Sequence, residues 1–547
     1  MESSKLRDFR RLFFVVIVVL VCGLFSISAS DSGEEPESCT SIMVGRLASE
    51  DGSVITCHTC DGNYRTWLNI VPHQKYPKGA KNKIYWGTLH TETPWDTRGK
   101  ILKGEIPQVE ETYAFMNVAY PCLNEKQLAI GETTIGGRRE LQNDDGLFLI
   151  EELERIALER CTTARDAIRL IGQLVKEYGY GDSGECITIA DKKEVWHFEI
   201  FGAGPAEIGA VWAAVRIPDD HVGVSANRPR ISTLKLDDPD YYMASENVFS
   251  VAQEMGWWDP KKGEPFKFWK AYSSAKPFSD REHFIYKKLA PSLNLSMDME
   301  ELPFAIKLEK KLSVRDVMGM YRETYEGTDF DMTRNLMVPK QQPRGQQAAA
   351  KEDAKPEMVK SPIANNWMSR DMIALLNALK PGTVEQRRTI AIAACAYSQI
   401  IQVRGWLPDE VGAIAWFSFD NPAQSPRIPV FSGTLELPKS FEYCAQQRYN
   451  ADSAAWAFRR ANRLAMIKWG ATRKQIEDAI MEFEDRAFME LPDLEKRFIQ
   501  VMSSEDSDAM AKGREYLTKY TNDFARAAMS KWGDLGDAFW ALYARGF

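Results

Sequence analysis

Residues 32–63 read SGEEPESCTSIMVGRLASEDGSVITCHTCDGN and contain the signals that decide how the fold begins. An acidic segment ends at Ser38, and Cys39 leads into TSIMVGRLA, whose alternating apolar and β-branched residues predict a strand. Asp51-Gly52 predicts a turn, and VITCHTC predicts the returning strand of a hairpin. The sequence therefore places a cysteine at the junction between a polar segment and the first strand of the fold.

The segment before this hairpin has the pattern of an export signal. Four basic residues precede a 14-residue apolar run at 12–25, and the small residues SISAS follow it. The run is shorter than the roughly 20 residues that a membrane-spanning helix needs. We therefore predict a signal peptide over 1–30, no stable membrane insertion after its removal, and a secreted, periplasmic or lysosome-like location.

Composition and motifs exclude several classes of function. The chain of 547 residues has a formal net charge of −8 and no basic stripe, which argues against nucleic-acid binding. Phosphate-loop, HExxH and GxSxG signatures are missing from the sequence. CHTC ends a predicted strand and has no second CxxC at zinc spacing, so a local disulfide or two buried thiols are its alternatives. We predict no metal and no organic cofactor.

The apolar periodicity predicts an α+β layered core. Strands are expected at 112–119 and 127–135, and helices at 146–161 and 162–180, the second capped by Thr162 or Thr163 and stopped by Gly179. CITIA, VWHFEIFG, GAVWAAVRI and HVGVSAN follow as consecutive antiparallel strands. We divide the chain into a core (39–338), a low-complexity insertion (339–364), the remainder of the core (365–450) and a helical C-terminal region (451–547).

Cys39 is a candidate nucleophile that lacks an obvious partner base. A free thiol with a pKa near 8.5 is only a few per cent thiolate at neutral pH, and none of the six histidines lies in a papain-like or caspase-like cysteine neighbourhood. If the chain is cut after Ser38, the α-amine of Cys39, with a pKa of about 7.7 to 8.0, becomes that base. We therefore predict a propeptide over 31–38. The alternative is a buried apolar cysteine or half of a disulfide.

The stretch from Cys39 to Asn63 resembles the mature start of the PepD-type cysteine dipeptidases, relatives of the secernins among the N-terminal-nucleophile (Ntn) hydrolases. Further matching segments occur in the family's order, namely NEKQLAIGETTIGGR (124–138), SANRPRI (225–231), YKKLAPS (286–292), LSVRDVMGMYRETYEGTDFD (312–331) and RGWLPDEVGAIAWFSFDNPAQSPRIPVFSGTLELPKSF (404–441). The resemblance implies a four-layer αββα sandwich of two antiparallel sheets. It also implies hydrolysis of dipeptides with Cys39 as the nucleophile.

The resemblance implies roles for further residues of the catalytic group. Asp61 matches the aspartate that follows the second strand and bonds near the nucleophile in related hydrolases. Asn227 matches an Asn-x-Pro asparagine that helps to form the oxyanion hole in bile-salt hydrolases and penicillin V acylases. Arg281 matches an arginine near the nucleophile, where a cation favours the thiolate and the neutral amine. Turn, strand-end and solvated roles, respectively, are the alternatives.

The resemblance also directs attention to the substrate side of the site. A second oxyanion donor is expected from Glu132, Thr133 or Thr134, which the sequence does not separate. An acidic Glu132 and a basic Arg138 are the candidates for holding the amine and the carboxylate of a dipeptide. His58 replaces an arginine of the relatives; it either substitutes for that cation at acidic pH or indicates a changed substrate preference or a lower activity.

Two other functions are compatible with these motifs. The same chemistry acts on other linear amides in penicillin V acylase-like and bile-salt hydrolase-like enzymes. A secernin-like protein without enzymatic activity, with a role in secretion or interaction, is the second alternative. A homo-oligomer is compatible with the sequence, which does not determine the oligomeric state.

Overall fold

The computed structural model describes residues 38–204, 207–273, 275–340 and 356–546. The predicted signal peptide and all of the predicted propeptide except Ser38 lie outside these residues, as do residues 341–355 of the predicted insertion. Among the described helices, none is both long and apolar enough to cross a membrane.

Two antiparallel sheets form the centre of the described chain. The first contains, in spatial order, β16 (Ala305–Lys307), β14 (His221–Ser225), β1 (Ser41–Val44), β2 (Val54–Asp61), β19 (Cys395–Val403), β20 (Ala413–Phe419) and β21 (Ile428–Phe431). The second contains β15 (Tyr242–Ala244), β13 (Ala210–Arg216), β12 (Val195–Gly202), β11 (Glu185–Ala190), β10 (Ala129–Thr134), β9 (Leu123–Asn124), β8 (Phe115–Asn117) and β3 (Asn69–Val71).

Three two-stranded ribbons and a set of helices complete the described secondary structure. The ribbons are β4 (Gln74–Lys75) with β7 (Glu111–Thr112), β5 (Lys81–Trp86) with β6 (Ile101–Pro107), and β17 (Met337–Pro339) with β18 (Met358–Lys360). The α-helices are α1 (Ile150–Arg160), α2 (Ala164–Tyr178), α3 (Ser250–Glu254), α4 (Phe268–Tyr272), α5 (Asp280–Leu289), α6 (Val314–Tyr321), α7 (Arg370–Leu379), α8 (Asp409–Gly412), α9 (Ala454–Ile467), α10 (Trp469–Met502) and α11 (Ala509–Leu542).

The predicted first hairpin is confirmed. β1 and β2 pair antiparallel, with Met43 opposite Thr56. The turn is stabilised by Asp51, whose side chain accepts the Ser53 N–H over 3.0 Å, and by Gly52 at a φ of +85°. Every residue of β2 is buried, because this strand lies inside the first sheet and contacts β10 and β11 of the second. The hairpin therefore lies at the interface of the two sheets.

The two sheets approach each other closely near Gly131. A Cβ atom at this position would lie 2.7 Å from the carbonyl oxygen of Cys57, so a larger residue would push the sheets apart. The hydroxyls of Thr56 and Thr188 meet across the same interface at 2.6 Å. This contact satisfies two buried hydroxyl groups and fixes the position of β2 against β11.

Two strand predictions are corrected by the structure. The predicted strand at 112–119 is divided into β7 and β8, which belong to different sheets. HVGVSAN does not continue the antiparallel run of β11, β12 and β13, since β15 occupies the next position beside β13. β14 instead pairs with β1 in the other sheet, with Ser225 opposite Ser41. This exchange of sheets brings the residues after β14 to the start of β1.

Helices pack against both sheets. α1 and α2 contact strands of the second sheet, and α2 has the predicted Thr163 cap and ends at Gly179, which has a φ of +81°. α6, α9 and α11 contact β19, β20 and β21 of the first sheet. The C-terminal region is helical, as predicted, and aromatic contacts such as Phe458 with Trp532 join its helices.

The described cysteines are all buried, and none of them is part of a disulfide. Cys57 and Cys60 lie in β2, so the second alternative for CHTC, two buried thiols, is the one observed. Cys39 is likewise not part of a disulfide.

Candidate active site

Cys39 is held at the entry to β1 through both of its backbone groups. Its N–H donates to Oδ1 of Asn227 over 2.9 Å. Its carbonyl oxygen accepts from Nη1 of Arg281 over 2.6 Å. The residue is fully buried. Two side chains from distant parts of the chain therefore fix the two peptide units on either side of the Cα atom of the candidate nucleophile.

Asn227 reaches this position because the chain turns sharply after β14. Its backbone has a φ of +60°, a left-handed conformation that asparagine tolerates better than most residues. Its Nδ2 donates to the carbonyl oxygen of Thr134 over 2.8 Å. Since Thr134 belongs to β10 and Cys39 precedes β1, the Asn227 side chain connects the two sheets beside the candidate nucleophile.

Arg281 lies in the first turn of α5 and is almost fully buried. Ser279 and Glu282 form a capping box that fixes the start of this helix. The guanidinium donates to the Cys39 carbonyl, and also to Oδ1 of Asn227 over 2.8 Å. Burial, and secondarily the charge of Arg388, lower the pKa of Arg281 to about 10, so it stays a cation at neutral pH.

Asp61 ends β2 and is buried beside the junction. Its Oδ2 accepts from Oγ1 of Thr59 over 2.8 Å and from Nη2 of Arg388 over 2.6 Å. Its backbone carbonyl accepts the N–H of Ser38 over 2.9 Å. Asp61 therefore contacts the residue before Cys39 and orients an arginine toward it.

The thiol of Cys39 faces a buried carboxyl group. One ligand atom each of Cys39, His58 and Glu132 lie within 4.8 Å of one another. Burial, followed by the nearby Glu132 carboxylate, raises the pKa of the Cys39 thiol well above its usual value. With Ser38 attached, the nitrogen of Cys39 is an amide without basicity. The thiol in this state is therefore protonated.

Glu132 and Glu185 form a pair of buried carboxyl groups on adjacent strands. Burial raises the pKa of Glu132 to about 7. Burial, and then the negative charge of Glu132, raise the pKa of Glu185 well above its usual value. Oε2 of each receives no hydrogen bond from a donor outside the pair among the described residues. The two carboxyl groups are hydrogen-bonded to each other, which requires that they share one proton, and the Glu132 carboxyl lies beside the Cys39 thiol.

His58 is a neutral member of this group. Its Nδ1 lies 2.6 Å from the carbonyl oxygen and 3.2 Å from the backbone nitrogen of Glu132, so both backbone groups of Glu132 contact this ring atom. Burial lowers the pKa of His58 to about 4. A ring with this pKa is uncharged at mildly acidic pH, so the suggested cationic replacement for the relatives' arginine is not supported by its environment.

Thr134, Thr133 and Arg138 have different surroundings. Oγ1 of Thr134 donates to Oε1 of Glu132 over 3.1 Å, so Thr134 lies beside the cluster of Cys39, His58 and Glu132. The hydroxyl of Thr133 meets that of Ser225 at 2.8 Å. Arg138 is directed to α4, where its Nε donates to the carbonyl of Ala271 over 2.6 Å. Its guanidinium also lies over the ring of Trp257, 4.8 Å from the centroid.

The residues that surround Cys39 fall inside a known family profile. A profile of peptidase family C69 matches residues 38–482, which is most of the chain and includes every residue of the candidate site named above. The chain belongs to peptidase family C69. The resemblance to PepD-type enzymes that the motifs indicated is confirmed.

Curated relatives of this C69 family member extend over most of its length. A probable dipeptidase of Latilactobacillus sakei is 24% identical over 488 residues, covering 82% of this chain and 89% of the relative. A probable dipeptidase of Salmonella dublin is 25% identical over 412 residues, covering 72% and 81%. Dipeptidase A of Lactobacillus helveticus is 21% identical over 436 residues, covering 76% and 80%.

Within the part of the chain that the structure describes, one cluster of side chains could hold a metal ion, formed by Cys39, His58 and Glu132. These three residues have the spacing of ligands around one ion. However, Nδ1 of His58 is occupied by the Glu132 carbonyl, and the buried thiol retains its proton. A metal would have to displace both, since it binds the thiolate and an unprotonated ring nitrogen.

The sequence did not predict two residues that lie in the candidate site, Arg388 and Glu185. Arg388 lies in the segment PGTVEQRRTI, which has no periodicity and no motif that would indicate a role. Glu185 opens the buried strand ECITIA. An acidic residue in a strand that is otherwise apolar was a usable signal, because buried carboxyl groups are rare unless they are functional or paired.

Proposed function

We propose that this protein is a cysteine dipeptidase of the Ntn type, exported and activated by removal of the residues up to Ser38. The observation that supports it most directly is the fixation of Cys39, whose N–H donates to Asn227 and whose carbonyl oxygen accepts from Arg281. The family match that begins at residue 38 and the names of the relatives supply the substrate class, dipeptides.

The proposal includes the fold, which we infer to be an αββα sandwich. Support comes from two antiparallel sheets that contact each other through β2, β10 and β11. Helices α1 and α2 pack on one sheet, and α6, α9 and α11 on the other. The candidate nucleophile lies at the start of a central strand of the first sheet, beside the interface with the second.

Cleavage after Ser38 turns the amide nitrogen of Cys39 into an α-amine. This amine takes the thiol proton, and the thiolate attacks the carbonyl carbon of the substrate. The buried cation of Arg281, bonded to the Cys39 carbonyl over 2.6 Å, favours the thiolate and the neutral amine. Nucleophile and base then belong to one residue, whose position the Asn227 and Arg281 contacts define.

The oxyanion of the tetrahedral intermediate needs at least one preorganised donor. The Asn227 amide is the first, because Oδ1 anchors Cys39 and Nδ2 points toward β10, 2.8 Å from the Thr134 carbonyl. The Thr134 hydroxyl is the second; its single proton is donated to Oε1 of Glu132 in the described structure, so it has to turn from Glu132 to the oxyanion. Collapse of the intermediate expels the amine of the second amino acid and leaves a thioester. Water, activated by the same α-amine, then hydrolyses the thioester.

Glu132 and Glu185 are proposed to bind the free amine of the dipeptide. An ammonium group supplies donors for the Oε2 atoms, which receive no hydrogen bond from a donor outside the pair among the described residues, and its charge favours release of the proton that the two carboxyl groups share. Such a site favours a substrate with a free amino terminus. An acylase substrate lacks that amine and supplies no cation to the pair.

The test is an intact-mass and activity assay on the full chain expressed with its own leader. Wild type is expected to begin at Cys39 and to hydrolyse free dipeptides at least tenfold better than their N-acetylated forms. Cys39→Ala is expected to stay uncut and inactive, whereas Cys161→Ala, a change at another buried cysteine, retains both properties. A wild-type chain that is never cut before Cys39, or an active Cys39→Ala chain, contradicts the mechanism. Preference for the N-acetylated forms favours the acylase alternative.

A further inference from the structure

Arg388 binds the residue that precedes the candidate nucleophile. Its Nε donates to Oγ of Ser38 over 2.9 Å, and its Nη2 to the carbonyl oxygen of Ser38 over 3.2 Å. The same Nη2 donates to Oδ2 of Asp61 over 2.6 Å. The guanidinium therefore contacts the carbonyl oxygen of the Ser38–Cys39 peptide bond. The buried Asp61 carboxylate fixes the orientation of the guanidinium.

Ser38 is held on its other side as well. Its N–H donates to the backbone carbonyl of Asp61 over 2.9 Å, and the residue is buried. Both polar groups of its backbone thus have a defined partner on the protein. The Ser38–Cys39 peptide unit is fixed at its carbonyl by Arg388 and at its nitrogen by Asn227. Cleavage by an external protease would not require the bond to be held in this way.

We propose that Arg388 is a catalytic residue of self-cleavage at the Ser38–Cys39 bond, where it stabilises the oxyanion that forms on the Ser38 carbonyl. This inference rests on the proposed function, because it assumes that Cys39 is freed as an amino terminus. Arg388 is assigned to self-cleavage alone, because the donors proposed for the oxyanion of dipeptide hydrolysis are Asn227 and Thr134. Arg388 acts on the leader's carbonyl, and Asn227 acts on the substrate's.

The reaction balances without a cofactor. Sγ of Cys39 attacks the carbonyl carbon of Ser38 through a small ring made of Sγ, Cβ, Cα, N and C. The thiol proton passes to a carboxylate oxygen of Glu132, which lies within 4.8 Å of Sγ. Negative charge forms on the Ser38 oxygen opposite Arg388. The C–N bond breaks, Glu132 returns the proton to the nitrogen of Cys39, and a thioester remains. Water then hydrolyses the thioester to the Ser38 carboxylate and the free thiol.

Glu132 accepts the thiol proton in this reaction because the α-amine of Cys39, the proposed base of the mature enzyme, does not yet exist. In the uncut chain the Cys39 nitrogen is an amide that donates to Oδ1 of Asn227 over 2.9 Å, so it cannot accept the thiol proton. Once the leader is gone, Arg388 loses its Ser38 contacts and keeps Asp61. Its contribution is then confined to holding Asp61 in place.

The experiment compares the rate of self-cleavage with the activity of chains that are already cut. Full chains are made by cell-free translation, and the fraction that begins at Cys39 is followed by intact mass. Arg388→Met is expected to slow cleavage by about 100-fold to 1000-fold, the usual effect of removing one oxyanion donor. Arg388→Lys should slow it less, because a cation remains. Arg387→Met, which loses a contact of 3.1 Å with Asp280 and a cation–π contact with Phe330 but no contact with Ser38, should cleave at the wild-type rate.

A second form of the full chain separates cleavage from later catalysis. Residues 32–38 are replaced by the recognition sequence of a site-specific protease that leaves Cys39 first, so that each variant can be opened by added enzyme. Opened Arg388→Met is expected to lose less than about tenfold in dipeptide hydrolysis. Equal losses in both assays, or self-cleavage of Arg388→Met at the wild-type rate, overturn the inference. An opened wild-type chain without activity would instead overturn the proposed function.

Discussion

The backbone N–H of Cys39 donates to Oδ1 of Asn227 over 2.9 Å, although 188 residues separate the two in the chain. The same oxygen accepts from Arg281 over 2.8 Å, so the amide of Asn227 is oriented by two donors. This orientation directs Nδ2 away from the Cys39 nitrogen and toward β10. In the mechanism proposed above, one side chain thereby positions the amino terminus formed by cleavage and supplies a donor to the oxyanion.

Removal of the Asn227 amide should reduce catalysis far more than substrate binding. We expect Asn227→Gly to lower kcat by about 100-fold to 1000-fold with a small change in KM. Glycine tolerates the φ of +60° at this position, so the loss reflects the missing side chain and not backbone strain. Steady-state kinetics with a dipeptide measure this. A loss confined to KM would show that Asn227 binds substrate without stabilising the oxyanion.

Arg281 should stabilise the protein as well as the site. Arg281→Met leaves the Cys39 carbonyl and the Asn227 oxygen with fewer donors in a buried environment. We expect the free energy of unfolding to fall by about 2–4 kcal/mol. Arg315→Met is the matched control, since its half-exposed ion pair with Asp485 should contribute about 0–1 kcal/mol. Urea unfolding measures both. Equal effects of the two substitutions would contradict the structural role of Arg281.

Glu132 should make stability fall as the pH rises. Its pKa is raised from 4.5 to about 7, so between these values the folded state retains a proton that the unfolded state has released. Rising pH therefore disfavours folding, by at most about 1.4 kcal/mol per pH unit. Glu132→Gln keeps the neutral shape and should remove this dependence, whereas the exposed Glu436→Gln should not. Unfolding free energies measured at several pH values test this prediction. A Glu132→Gln profile that ran parallel to the wild-type profile would contradict it.

His58 should produce the opposite dependence. Burial lowers its pKa from 6.5 to about 4, so in this window the unfolded state binds a proton that the folded state does not. Stability should therefore fall as the pH decreases through the window, again by at most about 1.4 kcal/mol per unit.

His58→Asn tests this sign, because the asparagine amide can donate to the Glu132 carbonyl without titrating. Its stability profile should be flatter than wild type on the acid side, while that of the exposed His90→Asn should match wild type. If wild type became relatively more stable than His58→Asn in acid, His58 would be a cation in the folded protein.

Local signals explain which parts of the site the sequence could predict. The Asp51-Gly52 turn and the alternation on either side of it define β1 and β2, and with them the positions of Cys39 and Asp61 at strand ends. The motif around Asn227 identified a residue of the site but not its sheet. The predicted order of strands placed β14 beside β13, since successive strands usually pair.

Arg388 and Glu185 show where local signals stop. Arg388 lies in an irregular segment, and its contacts with Ser38 and Asp61 span more than 300 residues of sequence. Glu185 acquires its raised pKa from burial beside Glu132, a neighbour in space through the pairing of β10 with β11. Neither property is encoded in a short pattern of residue types.

By itself, the sequence determined the first hairpin, α1 and α2, the helical C-terminal region, the family and the identity of the candidate nucleophile, because turn residues, periodicity and motif order act over short distances. The tertiary structure alone decided the surroundings of that nucleophile. The transfer of β14 to the first sheet, the burial of the Glu132–Glu185 pair and the contact of Arg388 with the Ser38 carbonyl all depend on long-range packing. Burial changes the charge of a carboxyl or thiol group, and only the packed structure determines burial.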